Sequence, residues 1–329
     1  MLKAMRICVV GTGALGTYFA WRLRQNGHQV SLYGRGAHYE ALVTQGMISR
    51  GDWGEHRAPL FAAVRAHAAV DFDAVLLTLK SHQVPSVAAQ LAHLVGEHAL
   101  LIAPQNGVPW WLLQGVDGPF ANAPVQAVDP QGALLRTFAA DRIIGMVVNK
   151  GVNLMEPGAI FHDEVPNNSF VFGGANAAAQ AHAEHIAQAF AGYEPVRVSA
   201  DIRAEKLTKL LLNLAFNPLT ALTRATIGAA AQDRYGGALA LRLMEEAIAT
   251  LRAAGFAMQT DPQARLARAR EIGPLKTSML RDVELGKPLE IDAIAGALVE
   301  IAGWTNTHVP TIQAIFEATK LLDATLSRG

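Results

Sequence analysis

The stretch RICVVGTGALGTYFAWRLRQNGHQVSLY, residues 6–33, constrains this chain more than any other. A short apolar run (6–10) leads into Gly-x-Gly-x-x-Gly, made by Gly11, Thr12, Gly13, Ala14, Leu15 and Gly16. A segment of helical periodicity (14–27) follows and stops at Asn26-Gly27. A second apolar run, 28–33, closes a β-α-β unit of about thirty residues. Each glycine meets its own demand. Gly11 permits a tight turn, Gly13 leaves the backbone open to a pyrophosphate, and Gly16 lets the helix lie close to the strand. The start of the helix offers N–H groups to phosphate oxygens. The six loop residues are therefore candidate dinucleotide contacts. NAD-type sites place an acid at the end of the second strand to accept from the ribose 2′-hydroxyl. Here there is no acid between Gly27 and Glu40, and Arg35 stands in the loop. A guanidinium matches a 2′-phosphate that a carboxylate would repel, so the expected cofactor is NADP(H).

Further apolar runs at 74–79 and 99–103 read as strands, with a helical segment (81–95) between them. Strands alternating with helices imply a parallel sheet covered on both faces. From about 120 to 173 the signal is mixed: short β-rich pieces (142–148, 159–161, 170–172) that extend the sheet or form a hairpin region. A helix (175–191) and a strand near 194–199 come next. Helical segments then run to the end, at about 201–216, 232–254, 261–270, 274–285, 292–303 and 309–325. The expectation is an α/β fold: a Rossmann-type parallel-sheet domain over 1–199 and an all-α domain over 200–329. In an open parallel sheet, ligands sit beyond the carboxyl ends of the strands. Lys80, Gln83 and Asn106, which follow two of those ends, are thus candidates for contact with cofactor or substrate.

KLTKLLLNLAFNPLTAL, residues 206–222, is almost wholly apolar, yet Lys209, Asn213 and Asn217 recur in it every four residues. On a helix they form one slightly slanted stripe. Lys209 could pair with Glu205, and Asn217 could simply end the helix before Pro218. Against both stands the apolar content, which leaves little room for a solvated face, and buried amides need partners. A substrate-lined wall supplies them. Further on, Ser278 and Asp282 share a helical face, a break at Gly286 and Pro288 follows, and Glu290 precedes Asp292, which reads as an N-cap.

Composition excludes several classes. The 329 residues are 51% hydrophobic with 28 basic and 28 acidic side chains, so no basic footprint for nucleic acid or a membrane surface exists. No apolar run approaches the roughly 20 residues of a membrane span. The start lacks a signal-peptide pattern, and the lone Cys8 lies in a strand, where an inert buried thiol is expected. A soluble cytoplasmic protein is the natural reading. The eleven histidines show no zinc-ligand spacing, so no metal is expected. The helical half has apolar surface enough, for example over 238–257, to support a homodimer.

The Gly-rich loop, the lysine after the strand near 79, the Asn-Gly at 106–107, the block KLLLNLAFNPLTAL and the later SML…EID block together resemble the ketopantoate reductases (2-dehydropantoate 2-reductases). The likeness extends over essentially the whole chain. It implies a Rossmann-type domain and a helical domain, reduction of 2-dehydropantoate by NADPH, and a place on the route to pantothenate and coenzyme A. By resemblance Lys209 matches the catalytic lysine and Glu290 the active-site acid. Asn106, Asn213, Asn217 and Ser278 match substrate contacts, Lys80 and Gln83 a pair near cofactor or substrate, and Arg35 the 2′-phosphate contact. The sequence departs from the family at Ile227-Gly228, where some members carry Asn-Gly, and over NGVPWWLLQG and 116–170, as in a divergent subgroup. Two other readings stay open: a reductase of the same family acting on another 2-oxo acid or an imine, and a non-catalytic NADP(H) sensor.

Overall fold

The computed structural model describes residues 3–51, 53–64, 71–162, 168–192 and 194–326. The chain divides into two compact units. The first is Met1–Gln105 with Leu134–Arg203, and the second is Asn106–Ala133 with Ala204–Gly329. The chain passes between the units at 105/106, 133/134 and 203/204, and the sequence boundary at 199/200 lies four residues before the third passage. The segment 106–133, which the sequence reading kept in the first domain, groups with the helices instead.

The first unit runs β1 (Arg6–Val10), α1 (Ala14–Gln25), β2 (Gln29–Tyr33), α2 (Ala37–Thr44), β3 (Met47–Gly51), β4 (Gly54–Ala58), β5 (Ala62–Ala63), β6 (Ala74–Leu77), α3 (Ala88–Val95) and β7 (Leu100–Ala103). It resumes with α4 (Ala133–Thr137), β8 (Ile143–Asn149), β9 (Val152–Glu156), β10 (Ala159–His162), β11 (Ser169–Gly174), α5 (Ala177–Ala189) and β12 (Val196–Val198). Eight strands form one sheet in the order β12-β11-β8-β7-β6-β1-β2-β5. Every pair is parallel except β8 with β11. That exception has a topological cause. A parallel return needs a crossover, usually helical, and what lies between β8 and β11 includes the β9–β10 hairpin instead.

β3, β4, β9 and β10 make a second sheet, ordered β4-β3-β10-β9. The sequence reading assigned no strand to 45–58. β4 is the reason: its residues, GEHRA, are nearly all exposed and carry no apolar alternation. The second sheet lies against α1, where His162 packs edge-on to Tyr18 with ring centroids 4.8 Å apart and Trp53 stacks with Trp21 at 6.3 Å. Beneath them Tyr18 donates its hydroxyl to Glu194, which also pairs with Lys150 at 3.0 Å, both charged side chains being almost fully buried. Cys8 is buried in β1, and desolvation pushes its thiol up to about 12, so it stays protonated and inert.

The second unit carries most of α6 (Ile202–Thr223), then α7 (Ile227–Gln232), α8 (Arg234–Ala253), α9 (Pro262–Arg270), α10 (Ser278–Glu284), a single π-type turn (Asp292–Gly296) running into α11 (Ala297–Thr305), and α12 (Pro310–Leu326). Two points depart from the sequence reading. α6 continues through Pro218 rather than ending at Asn217. Asp292 is no N-cap: the residue before the turn is Ile291, with no side-chain cap, and the Asp292 carboxylate accepts from Lys320 at 2.9 Å.

The segment 106–133 belongs here for clear reasons. Trp110 and Trp111 are buried in the core. Glu300 of α11 accepts from the N–H groups of Gln126 and Ala127 at 2.8 and 2.9 Å, and Phe120 stacks on Trp304. Among the described residues no helix is long and apolar enough to cross a membrane.

Candidate functional site

The candidate residues fall into two sets, one in each unit. The first set grows from the sheet order. β1 has β2 on one side and β6 on the other, so the chain reverses its direction of travel between β1 and β6. The crevice outside such a reversal is where open α/β sheets bind ligands. Gly11 sits there with φ +96°, a conformation that favours glycine, and a Cβ on it would lie 2.9 Å from Leu79. Its N–H donates to Tyr33 O at the end of β2 at 2.9 Å, and its carbonyl accepts from the Thr78 hydroxyl. A Cβ on Gly16 would stand 2.0 Å from Gly11 O, so only glycine lets α1 lie this close. Gly13 differs: a Cβ there meets nothing within 4 Å. It is the N-cap of α1, with no side-chain cap and no acid in the first turn. The structure thus needs Gly11 and Gly16 for packing, while the open backbone at Gly13 leaves room for a phosphate. Thr12 is buried, and Ala14 and Leu15 are half-buried in the first turn of the helix.

Arg35 is exposed, two residues beyond the Tyr33 carbonyl that holds Gly11. A Cβ on Gly34 would come within 2.7 Å of the Thr12 hydroxyl, so the loop bearing Arg35 abuts the glycine loop. Lys80 lies three residues past β6. Gln83 has a local duty, since its side-chain oxygen accepts from the Lys80 N–H at 3.1 Å and closes that turn. Gln105 donates its amide to the carbonyls of Leu77 and Leu79, fixing the chain beyond β6. The residues of this set fit a dinucleotide: an open glycine at a helix start, no competing carboxylate, and a neighbouring guanidinium.

The second set stands on α6. Lys209 and Asn213 are half-buried and Asn217 is buried, while Leu210, Leu211, Leu214 and Phe216 fill the core beside them. Desolvation lowers the Lys209 pKa to about 8, and the carboxylate of Glu290 opposes that shift. A lysine and an acid some eighty positions apart in sequence therefore act on each other. Glu290 lies two residues before the start of the π-type turn, and the Ala293 carbonyl of that turn accepts from the Val108 N–H at 2.8 Å. Between Asn106 and Val108 stands Gly107, with φ +84°, where a Cβ would meet Ala293 O at 2.4 Å. Asn106 is thereby tied to the Glu290 segment, in the helical unit rather than the sheet unit.

Ser278 opens α10 and is exposed. Its neighbour Thr277 caps that helix and shares a hydrogen bond of 2.7 Å with the Thr220 hydroxyl, which also donates to Asn217 O. These contacts tie the start of α10 to α6 one turn past Asn217, while the Ser278 side chain itself is exposed. The sequence reading missed Thr220 and Thr277 because it started that helix at 274. The signal was present, as a threonine ahead of Ser-Met-Leu is a fair N-cap. Ile227 N–H donates to Leu275 O and Gly228 N–H to Gly273 O.

The family model for ketopantoate reductase PanE/ApbA matches residues 7–177, and the model for its C-terminal part matches 201–323. The 2-dehydropantoate 2-reductase of Mesorhizobium japonicum is 37% identical over 322 residues, covering 97% of this chain and 98% of its own. The chain belongs to the ketopantoate reductase family. Members are pyridine-nucleotide-dependent oxidoreductases, and this family protein is an enzyme of that class. A Ralstonia solanacearum MolK2 protein, provisionally assigned as a ketopantoate reductase, superposes with a TM-score of 0.89 at 32% identity over 98% of this chain and 99% of that one. The 2-dehydropantoate 2-reductase of Geobacter metallireducens gives 0.82 at 25% identity, covering 96% and 99%.

Proposed function

We propose that this enzyme reduces 2-dehydropantoate to pantoate with NADPH, as a soluble cytoplasmic protein on the route to pantothenate and coenzyme A. The observation that carries the reading is Lys209, desolvated on an apolar helix with Glu290 acting on its charge. Reduction of a ketone needs a hydride at carbon and a proton at oxygen. Bound NADPH would supply the hydride, held by Gly11, Thr12, Gly13, Ala14, Leu15 and Gly16 at its pyrophosphate and by Arg35 at its 2′-phosphate. Lys80, Gln83 and Asn106 are the candidates for its remaining contacts.

Lys209 stabilises the negative charge developing on the carbonyl oxygen and donates the proton. Its lowered pKa makes it a stronger acid than an ordinary lysine while leaving it mostly charged at neutral pH. Asn106, Asn213, Asn217 and Ser278 orient the substrate, and Glu290 both steadies the Lys209 charge and accepts from a substrate hydroxyl. A homodimer is part of this proposal, although the large apolar side chains Leu243, Met244, Ile248 and Leu251 lie buried within the chain.

A second reading, reduction of another 2-oxo acid or an imine, is favoured by Ile227. It stands where some members offer an asparagine, and it cannot hydrogen-bond a substrate through its side chain. Steady-state NADPH oxidation with a panel of 2-oxo acids tests both. Ketopantoate should give the highest kcat/KM. A different acid on top would select the second reading, and no turnover with any of them would refute catalysis on this class.

A further inference from the structure

The loop that bears Arg35 is loosely built. Arg35 stands between Gly34 and Gly36, and Gly36 has φ +87° with nothing within 4 Å of a Cβ placed on it. Two glycines in three residues leave this tether many conformations. It leads into α2, eight residues long, with Gly36 as its N-cap and no side-chain cap. A helix this short is marginal alone. The position of Arg35 therefore depends on what anchors the chain on either side. On one side the anchor is the Tyr33 carbonyl, which accepts from the Gly11 N–H. On the other it is His38, the second residue of α2.

His38 is half-buried, and its ring reaches two other elements at once. Its Nδ1 accepts from the Gly158 N–H at 2.9 Å, in the turn between β9 and β10. Its Nε2 lies 2.9 Å from the hydroxyl of Thr17, the buried residue that follows Gly16 in α1. A backbone N–H can only donate, so Nδ1 is the bare nitrogen, and Nε2 carries the proton that Thr17 accepts. Desolvation lowers the ring's pKa against the opposing pull of the Glu156 carbonyl, so the ring is neutral at pH 7, as this tautomer requires. Gly158 is itself fixed. Its carbonyl accepts from the Ile48 N–H of β3 at 2.8 Å, and a Cβ on it would meet Ala41 of α2 at 3.2 Å.

We infer that His38 is a positioning residue for cofactor selection: by pinning the start of α2 to α1 and to the second sheet, it holds Arg35 beside the glycine loop, where that guanidinium tells NADPH from NADH. The inference rests on the Arg35 contact proposed above. His38 acts through Arg35 rather than on the nucleotide itself.

The test measures the Kd of NADPH and of NADH by fluorescence titration of the full chain. His38→Phe keeps a ring at the position and removes both hydrogen bonds. At roughly fivefold for each neutral hydrogen bond, NADPH affinity should fall by about 5- to 30-fold and NADH affinity by less than about twofold. His38→Gln, whose amide can accept from Gly158 and donate to Thr17, should recover most of the loss. In an Arg35→Ala background, His38→Phe should cost almost nothing further, because the two residues act as one unit. An equal fall for both nucleotides, no fall for NADPH, or an undiminished loss in the Arg35→Ala background overturns the inference. If His38→Phe folds poorly, Thr17→Val removes one of the two bonds in a side chain of the same shape and decides instead, with a selective loss of about fivefold expected. Failure of the Arg35 contact itself looks different: Arg35→Ala alone then leaves the preference between NADPH and NADH unchanged.

Discussion

Lys209 offers the sharpest test of the mechanism, because its environment sets a number. An unperturbed lysine titrates near 10.4, so an exposed lysine acid would keep kcat/KM flat until well above pH 9. Desolvation brings Lys209 to about 8. The acid must be protonated to act, so activity is present below that value and is lost as pH rises through it. About nine-tenths of the enzyme is competent at pH 7 and about one-tenth at pH 9, and each further unit costs about tenfold. The assay is kcat/KM for the 2-oxo acid at saturating NADPH across pH 6 to 10.5, since that ratio reports the free enzyme's groups. Glu290 raises the Lys209 pKa, so Glu290→Gln should move the alkaline limb to lower pH. Lys209→Ala should lose about 10²-fold or more in kcat and lose the limb itself, while still binding NADPH. A wild-type profile flat to pH 10, or a limb that survives in Lys209→Ala, refutes the reasoning.

Arg35→Ala should lower NADPH affinity by about 10- to 100-fold and leave NADH nearly unaffected, because a charge-assisted hydrogen bond is worth about 1.5–3 kcal/mol; paired fluorescence titrations read the ratio. The two helix-start glycines should separate. Gly13→Ala meets open space, so its Tm should hold while its NADPH Kd weakens. Gly16→Ala forces a carbon to 2.0 Å from Gly11 O, so its Tm should fall by the equivalent of about 1–3 kcal/mol. Glu194→Ala leaves the Lys150 charge buried without its partner carboxylate, and urea unfolding should show a loss of about 3–5 kcal/mol.

The first unit was legible where a local rule governs. The strand, Gly-rich turn and helix over 6–25 need only neighbouring residues to specify them, and β1, α1 and β2 appear where the pattern put them. The second sheet was not legible. β3 pairs with β10 across more than a hundred residues, and β4 shows no apolar alternation because nearly all of its residues are exposed, leaving neither face to be buried. The placement of 106–133 was hidden for the same reason. Val108 N–H finds Ala293 O, and Gln126 and Ala127 find Glu300, partners that no local pattern announces. In the candidate site the stripe on α6 was readable from four-residue spacing alone.

Pro218 shows how the fold overrides a local rule to the benefit of the site. A proline inside a helix costs about 3 kcal/mol, through the lost N–H and the clash with the preceding turn. Burying one leucine or phenylalanine side chain gains about 1.5–3 kcal/mol, and Leu214, Phe216 and Leu219 are all buried around that point. Two or three such side chains outweigh the proline, so α6 runs on to Thr223. The consequence reaches beyond packing. Because the helix persists, Asn217 keeps its place in the stripe instead of fraying at a helix end. Thr220, one turn later, is then held where its hydroxyl meets Thr277, the cap of the helix that begins at Ser278. Had the chain stopped being helical at Asn217, that contact would be lost, and with it the tie between α6 and the start of α10.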